Sequence, residues 1–460
     1  MAHIEQMQKE ELKILTPAGI LGYGIPADHF WRGVERGPDA MIVDAGSTDP
    51  GPYLLGLGKM IVDKQGYERD LALVLQAAAE RKIPLIISSA GGPGIDRHVD
   101  EMIAIIQGIA AEKGYNFKIA AIYSEVPRDT IHARLDEGRI TECSSSGNLD
   151  HAAITEATTI VAQMGAEPFA RVLDEHPDVD IIVSGRSYDP APHAGFCMRH
   201  GIDPGVYWHM GKIVECGAVC AEPKGRVILA TVRRDSFDLE PMNPAERCTP
   251  ASVAAHTLYE KTRPDMLYGP GGMLDLRGSR YEALDDRRVR VSGSVFVPSN
   301  KYSVKLEGAA VVGHRTIFIG GIRDPILLGQ LDSFLDDVRS RVQAFYPQLG
   351  TGEATMIFHC YGRDAVMGEM EPMRHVVPHE VGLLGEVTAP TQELANAICS
   401  QARITVLHMP YPGQMATAGN FALPLNPPEN PIGPVCRFTV YHLMEVDDAC
   451  ELFPIRVHAA

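Results

Sequence analysis

The sequence lacks the patterns that most readily betray a function. Its nine cysteines are scattered and odd in number, with no C-x-x-C pair and no zinc-ribbon spacing, which excludes a disulfide framework and fits free thiols in a reducing compartment. No apolar run approaches the ~20 residues a membrane helix requires. Basic residues are scarce: 42 Lys and Arg against 59 Asp and Glu give a net charge of −17. Such a surface repels nucleic acid and anionic membrane, so neither is expected as a partner, and an anionic substrate must be met by local Arg or Lys. No Gly-Lys-Ser/Thr follows any glycine-rich turn, and no such turn has dinucleotide-binding spacing in a strand-to-helix context. The opening residues 1–13 are polar and of mixed charge, without the apolar segment of a secretory signal. A cytoplasmic protein is expected.

What is present is ordinary globular material in abundance. At 460 residues and 45% hydrophobic content the chain can close its core without staples. Apolar runs at 12–21, 40–45, 84–90, 118–126 and 179–184 alternate with helical patterns at 67–81, 97–113 and 151–164. Repeated strand–helix–strand units predict an α/β fold with a mostly parallel, doubly wound sheet over residues 1–224. From 225 to 460 the pattern changes to short alternating strands, with helices at 249–261, 325–345 and 391–407 and later strands at 354–361 and 435–444. This predicts a second α+β domain with a mixed or antiparallel sheet. The proline-rich stretch 423–434 reads as an extended arm that either docks on a neighbouring subunit or crosses the surface.

The segment Ile181-Ile182-Val183-Ser184-Gly185-Arg186-Ser187-Tyr188-Asp189-Pro190-Ala191-Pro192-His193 carries the clearest functional signal. Four residues of buried-strand character end in polar ones, where open α/β sheets bind ligands. Arg186 offers a planar fork for a carboxylate. Asp189 and His193, four apart, would share a helix face and a proton, with Asp49 from an earlier strand end completing the set. The competing structural readings are a helix cap for Asp189, a surface ion pair for Arg186 and a helix-face position for His193. Asp49, Asp189 and His193 would also suit Mg²⁺ or Mn²⁺, although no H-x-H or H-E-x-x-H spacing supports a metal.

Two glycine-rich loops supply substrate-contacting candidates, Ser47 and Thr48 in one and Ser89, Gly91 and Gly92 in the other. Backbone N–H groups there can approach a carboxylate or phosphate closely, and the same turns serve equally as tight connections. Lys212 and Glu215 form a charge pair in an otherwise apolar helix predicted over 205–218. Such a pair is costly unless partnered, which marks it as an acid/base pair or a structural support. Phe358-His359-Cys360 and Arg363-Asp364 make a second polar cluster, with Arg363 a further substrate-binding candidate that would close over the first site across a domain interface.

Several of these stretches together resemble the acyclic terpene utilisation (AtuA) family. They are Pro17-Ala18-Gly19-Ile20-Leu21-Gly22-Tyr23-Gly24, the loop 44–52, Ser184-Gly185-Arg186-Ser187-Tyr188-Asp189-Pro190-Ala191, His209-Met210-Gly211-Lys212-Ile213-Val214-Glu215-Cys216-Gly217, and Phe358-His359-Cys360-Tyr361-Gly362-Arg363-Asp364. The resemblance implies a cytoplasmic enzyme of acid or acyl-CoA catabolism, homo-oligomeric or joined by a small partner subunit. It brings no established catalytic residues.

Moving water across a C=C bond beside a carboxylate needs a cation for the developing charge, a group for the α-proton and another for the leaving hydroxyl. Arg186 with Asp49, Asp189, His193, Lys212 and Glu215 supplies those types. The preferred expectation is a hydratase-type lyase acting on a small unsaturated or hydroxylated carboxylic acid or its CoA thioester. A C–C lyase or hydrolase of an acyl-CoA, and a non-catalytic scaffold subunit, are the alternatives.

Overall fold

The computed structural model describes residues 9–144, 146–258, 263–417 and 420–459. The first eight residues of the polar opening, Ser145, and residues 259–261 of the helix expected over 249–261 lie outside them. The chain divides into two compact units, residues 1–310 with 438–460, and residues 311–437.

The first unit is built on ten strands of one sheet. In chain order its relevant strands are β1 (Leu12–Thr16), β2 (Ala40–Asp44), β3 (Leu85–Ser88), β4 (Lys118–Ile122), β5 (Thr159–Gln163), β6 (Ile181–Ser184), β7 (Ile228–Val232), β8 (Ser236–Pro241), β9 (Arg280–Ala283) and β10 (Val289–Ser292). Then come β11 (Tyr302–Ile322), β12 (Thr355–Tyr361), β13 (Val381–Ala389), β14 (Glu429–Val446) and β15 (Ile455–Ala459). The large sheet runs β9-β10-β8-β7-β1-β2-β3-β6-β4-β15.

Only its middle is parallel. β1, β2, β3, β6 and β4 pair in parallel, whereas β7, β8, β10 and β9 add antiparallel on one side and β15 on the other. The fold is therefore mixed α/β, and the expectation of a mostly parallel sheet is corrected. Residues 228–232 read as a strand from their β-branched run, but their direction is set by pairing Leu12↔Val232 through Thr16↔Ile228, which the run does not encode. This pairing also places the expected boundary near 225 inside the first unit.

Alternation along the parallel strands explains why helices cover both faces. Helices of the first unit include α1 (Ala27–Val34), α2 (Lys64–Arg81), α3 (Asp96–Lys113), α4 (Glu167–Glu175), α5 (Ala191–Met198), α6 (Pro204–Val214) and α7 (Pro250–Thr257). Met41, Val43, Leu85, Ile87, Ile181 and Val183 pack with Tyr67, Leu71 and Val99 of α2 and α3. Their neighbours Ala40, Ile42, Ile86 and Ile182 pack with Phe169, Ala194, Met210 and Ile213 of α4, α5 and α6. The helix expected over 151–164 is a further correction. It stops at Glu156, and β5 follows, because the β-branched run Thr158-Thr159-Ile160-Val161 favours extended backbone. The helix expected over 325–345 is broken into Pro325–Leu328 and α8 (Leu331–Phe345) around Gly329.

β11 starts in the first unit, where Lys305 to Ala309 pair antiparallel with β5, and ends in the second. There it pairs with β13, which pairs with β12, all antiparallel. α8 and α9 (Gln392–His408) cover this layer, and Phe318, Leu335, Val338, Leu383, Val387 and Ile398 form its core. No described helix is long and apolar enough to cross a membrane.

Candidate active site

The parallel strands end together, and their last residues carry the chemistry. β2 closes on Asp44, β3 on Ser88, and β6 on Ser184 followed by Gly185 and Arg186. The loop after β3 must pass unusually close to the one after β6. Gly94, at φ +66°, accepts a hydrogen bond from the Arg186 N–H, and a Cβ on it would sit 2.2 Å from the Arg186 nitrogen, so only glycine fits. Ser89 holds a left-handed φ of +48°, rare for a side-chain-bearing residue. It is pinned by its N–H donating to the Gly185 carbonyl and by its hydroxyl accepting from Arg186 Nη1 at 3.3 Å.

Arg186 is 1% exposed. Its Nε donates to Glu307 Oε2 at 2.9 Å, and its Nη1 donates to Asp189 Oδ1 at 3.1 Å and to the Ser187 carbonyl at 2.8 Å. Burial opposes its charge, but Glu307 and then Asp189 outweigh burial and hold the guanidinium more firmly protonated than usual. Glu307, fully buried, also accepts from Thr48 Oγ1 at 3.0 Å and pairs with Lys305 Nζ at 2.6 Å. Burial alone would raise its pKa; Arg186 and Lys305 instead lower it to about 2. Lys212 and Glu215 make a second buried pair at 2.5 Å.

Asp49, Arg186, Asp189, Lys212 and Glu215 line one cavity of about 960 Å³, within the first unit. Lys301, Lys305, Gln163, Tyr188 and Tyr441 complete its polar wall, and the turn Gly269 to Gly272 of a small antiparallel sheet (Met266–Gly269, Gly272–Asp275, Val295–Pro298) edges it. Five of the expected residues are thus brought together. Thr48 braces Glu307 from behind, and Ser47 accepts the Asp49 N–H at 3.2 Å.

His193 is not part of this wall. It lies in the core, 1% exposed, with Nε2 3.0 Å from Thr16 Oγ1 and Nδ1 buried without a hydrogen-bond partner among the described residues; burial lowers its pKa to about 3. The expected Asp189–His193 pairing is corrected for a local reason. Asp189 sits in the turn before α5, not on it, so the four-residue spacing does not stack the two side chains. The metal set of Asp49, Asp189 and His193 fails with it, and the described residues contain no group of three or more His, Cys, Asp or Glu that could hold a metal ion.

Gly91 and Gly92 shape the β3 turn rather than the cavity. Both have positive φ, and added Cβ atoms would meet His98 at 2.7 Å and Ile61 at 3.2 Å. Arg363 belongs to the second unit, where it pairs with Asp332 at 2.8 Å and Asp364 at 3.0 Å beside a cleft of about 460 Å³.

Three important groups escaped the sequence reading: Glu307, Lys305 and Asp44. Glu307 had a usable signal, an acidic residue entering the apolar run Gly308-Ala309-Ala310-Val311-Val312 that demands a buried partner. Asp44 ends an otherwise apolar strand. It accepts from Ser88 Oγ at 2.8 Å and from the Ala45 N–H at 3.0 Å. Burial and then Asp189 raise its pKa well above the usual carboxylate range, against the opposing pull of Arg186.

Fold and wall together define a mixed α/β protein with a charge-laced cavity where its parallel strands end. The family model of the acyclic terpene utilisation family protein AtuA matches residues 13–225, a stretch that holds β1 to β6 together with Asp49, Arg186, Asp189, Lys212 and Glu215. Over that stretch the chain is similar to the AtuA family. No curated protein and no solved structure matches the chain.

Proposed function

We propose that the protein is a hydratase-type lyase acting on a small unsaturated or hydroxylated carboxylic acid or its CoA thioester. The observation that carries this reading is the charge balance of the cavity. In a chain of net charge −17, the wall bears, among the described residues, four cations (Arg186, Lys212, Lys301, Lys305) and three carboxylates (Asp49, Asp189, Glu215), and Glu307 behind it, paired with Arg186 and Lys305, brings the charges to four against four. Desolvated cations fixed in place stabilise an enolate-like charge far better than cations in water.

In the dehydration direction Arg186 and Lys212 hold the substrate carboxylate or thioester oxygen. Arg186 Nη2 takes none of the hydrogen bonds that bind Nε and Nη1 among the described residues, which leaves it for a ligand. Glu215, held by Lys212, receives the α-proton. Asp189, 27% exposed at the side chain, takes a proton from solvent and passes it to the departing hydroxyl. The volume of about 960 Å³ is at the upper end for ligand sites and admits a thioester as well as a free acid.

The test is a panel of short-chain enoic and hydroxy acids, free and as CoA thioesters, followed by the absorbance of the conjugated double bond. At least one member is expected to turn over, with Glu215→Gln slowing it by about 10²-fold or more. A panel that stays inert removes the reading and leaves the scaffold alternative.

A further inference from the structure

Tyr441 lines the cavity, and the scheme above leaves it idle. β11 and β14 are neighbours in one sheet. Lys305 and Glu307 are two apart along β11, so their side chains leave the strand on one face. Lys305 thereby stands between Glu307 and Tyr441: its Nζ lies 2.6 Å from Glu307 Oε1 and donates to the Tyr441 hydroxyl oxygen at 3.2 Å. Arg186 Nε donates to the other Glu307 oxygen at 2.9 Å, so an unbroken string of contacts runs from the Arg186 guanidinium to the Tyr441 phenol. Burial opposes the Lys305 charge, but Glu307 outweighs it and keeps the ammonium protonated. An ammonium has no acceptor to offer, so the phenolic oxygen can only accept from Lys305, and its own O–H is directed elsewhere. Among the described residues that O–H donates to nothing. The ring is held from the side by Phe438, with centroids 5.4 Å apart.

A substrate oxygen can supply the missing acceptor. A hydroxyl has one proton to give and two lone pairs to fill. Asp49, Asp189 and Glu215 on the wall can take the proton, but as carboxylates they cannot fill the lone pairs. The four cations are each tied to a carboxylate: Arg186 and Lys305 to Glu307, Lys212 to Glu215 and Lys301 to Glu445. Tyr441 offers an uncharged donor already polarised by a cation. With Asp49 it also stands where this cavity adjoins a second of about 470 Å³, which gives the water released or taken up a place beside it.

We propose that Tyr441 is a further catalytic residue, which holds the departing hydroxyl by donating its O–H to that oxygen. The assignment rests on the hydro-lyase reading. In dehydration the α-C–H bond breaks, its proton going to Glu215 and its electron pair forming the new C=C bond. The C–O bond breaks with its pair on oxygen, and a proton passed on by Asp189 completes the water. The Tyr441 O–H bond stays intact throughout. Its hydrogen bond strengthens as negative charge gathers on the departing oxygen, and Lys305 reinforces it by drawing charge from the phenol. In the hydration direction the same contact holds the incoming water.

Tyr441→Phe removes the hydroxyl and keeps the ring. With the best substrate of the acid panel, kcat should fall by about 10²-fold, and by more than KM rises. The ground-state contact is read by calorimetry in the Glu215→Gln background, where the chemistry is slowed, with 3-hydroxybutyrate beside butyrate, each free and as the CoA thioester. The hydroxy form should bind about tenfold more tightly, and adding Tyr441→Phe should erase that preference. A preference that survives Tyr441→Phe overturns the assignment. If Tyr441→Phe does not fold, fluorine NMR of 3-fluorotyrosine placed at position 441 decides. Its resonance should move further with 3-hydroxybutyrate than with butyrate, and an equal response overturns the assignment. If no acid of the panel binds or turns over, the lyase reading falls and the assignment with it; if Tyr441→Phe turns over like wild type, the assignment falls alone.

Discussion

The two ends of the parallel strands both open into clefts of similar size, and they differ in how their charges are housed. At the end where the strands begin, a cleft of about 790 Å³ is lined by Asp39, Asp174, Asp178, Arg199 and others. Its ion pairs lie in solvent: Lys118 and Asp178 are 35% and 69% exposed. At the end where the strands finish, Lys212 and Glu215 are 4% and 5% exposed, and Arg186 and Glu307 are 1% and 0%. Space alone does not distinguish the ends; desolvation does. Exposed pairs are screened and worth little, whereas buried ones are costly to assemble and damaging to break. Their persistence at one end only is what marks that end for chemistry.

The comparison is most sharply broken by deleting one partner at each end. Glu307→Ala leaves Arg186 and Lys305 in the interior without their shared carboxylate and is expected to cost about 3–5 kcal/mol in denaturant unfolding. Equal losses for Glu307→Ala and for Asp178→Ala would erase the distinction. Arg186→Ala is a poor probe of catalysis for the same reason, since it strands Glu307. Glu215→Gln, which keeps shape and hydrogen bonding, separates function from stability.

The pH dependence of stability sharpens the picture. His193 and His209 are buried neutral, their pKa values lowered by burial from 6.5 to about 3, and His256 similarly to about 4. Below 6.5 the unfolded chain binds protons that the folded one refuses, so the stability these residues allow is complete above 6.5 and drains away as pH falls toward 3. Glu307 adds a second loss between 4.5 and about 2. Asp44 has the opposite sign. Its raised pKa means the folded state keeps a proton the unfolded chain releases, so its contribution declines as pH rises above 3.8. Asp44→Asn should therefore gain on wild type as pH increases through that range, read as the midpoint of urea unfolding. The smallest effect belongs to the solvent-facing end: Asp178→Ala should leave the unfolding midpoint near that of wild type and leave turnover alone.

Much of the layered core was legible because burial on both faces leaves a continuous apolar run, as in residues 181–184, and because helices α2 and α3 carry strong periodic patterns. Of the strand-tip set, Asp49, Arg186 and Asp189 line one cavity and His193 does not, and Lys212 and Glu215, marked as a charge pair in an apolar helix, line that cavity too. What was not legible depended on distant partners. Glu307 meets Arg186 across 121 positions of sequence, and nothing local names that partner. The antiparallel half of the sheet is likewise a matter of pairing rather than of composition. His193 was misread because spacing by four implies a shared face only once both residues are inside the helix.

The central claim is that the desolvated wall where the strands finish is where substrate is transformed. Its most direct test is the turnover of the best substrate from the enoic and hydroxy acid panel by Asp189→Asn beside Asp178→Asn, both checked for native unfolding midpoints. The account predicts a fall of about 10²-fold or more for Asp189→Asn and wild-type turnover for Asp178→Asn. Undiminished turnover by Asp189→Asn, or an equal fall in both, would contradict it.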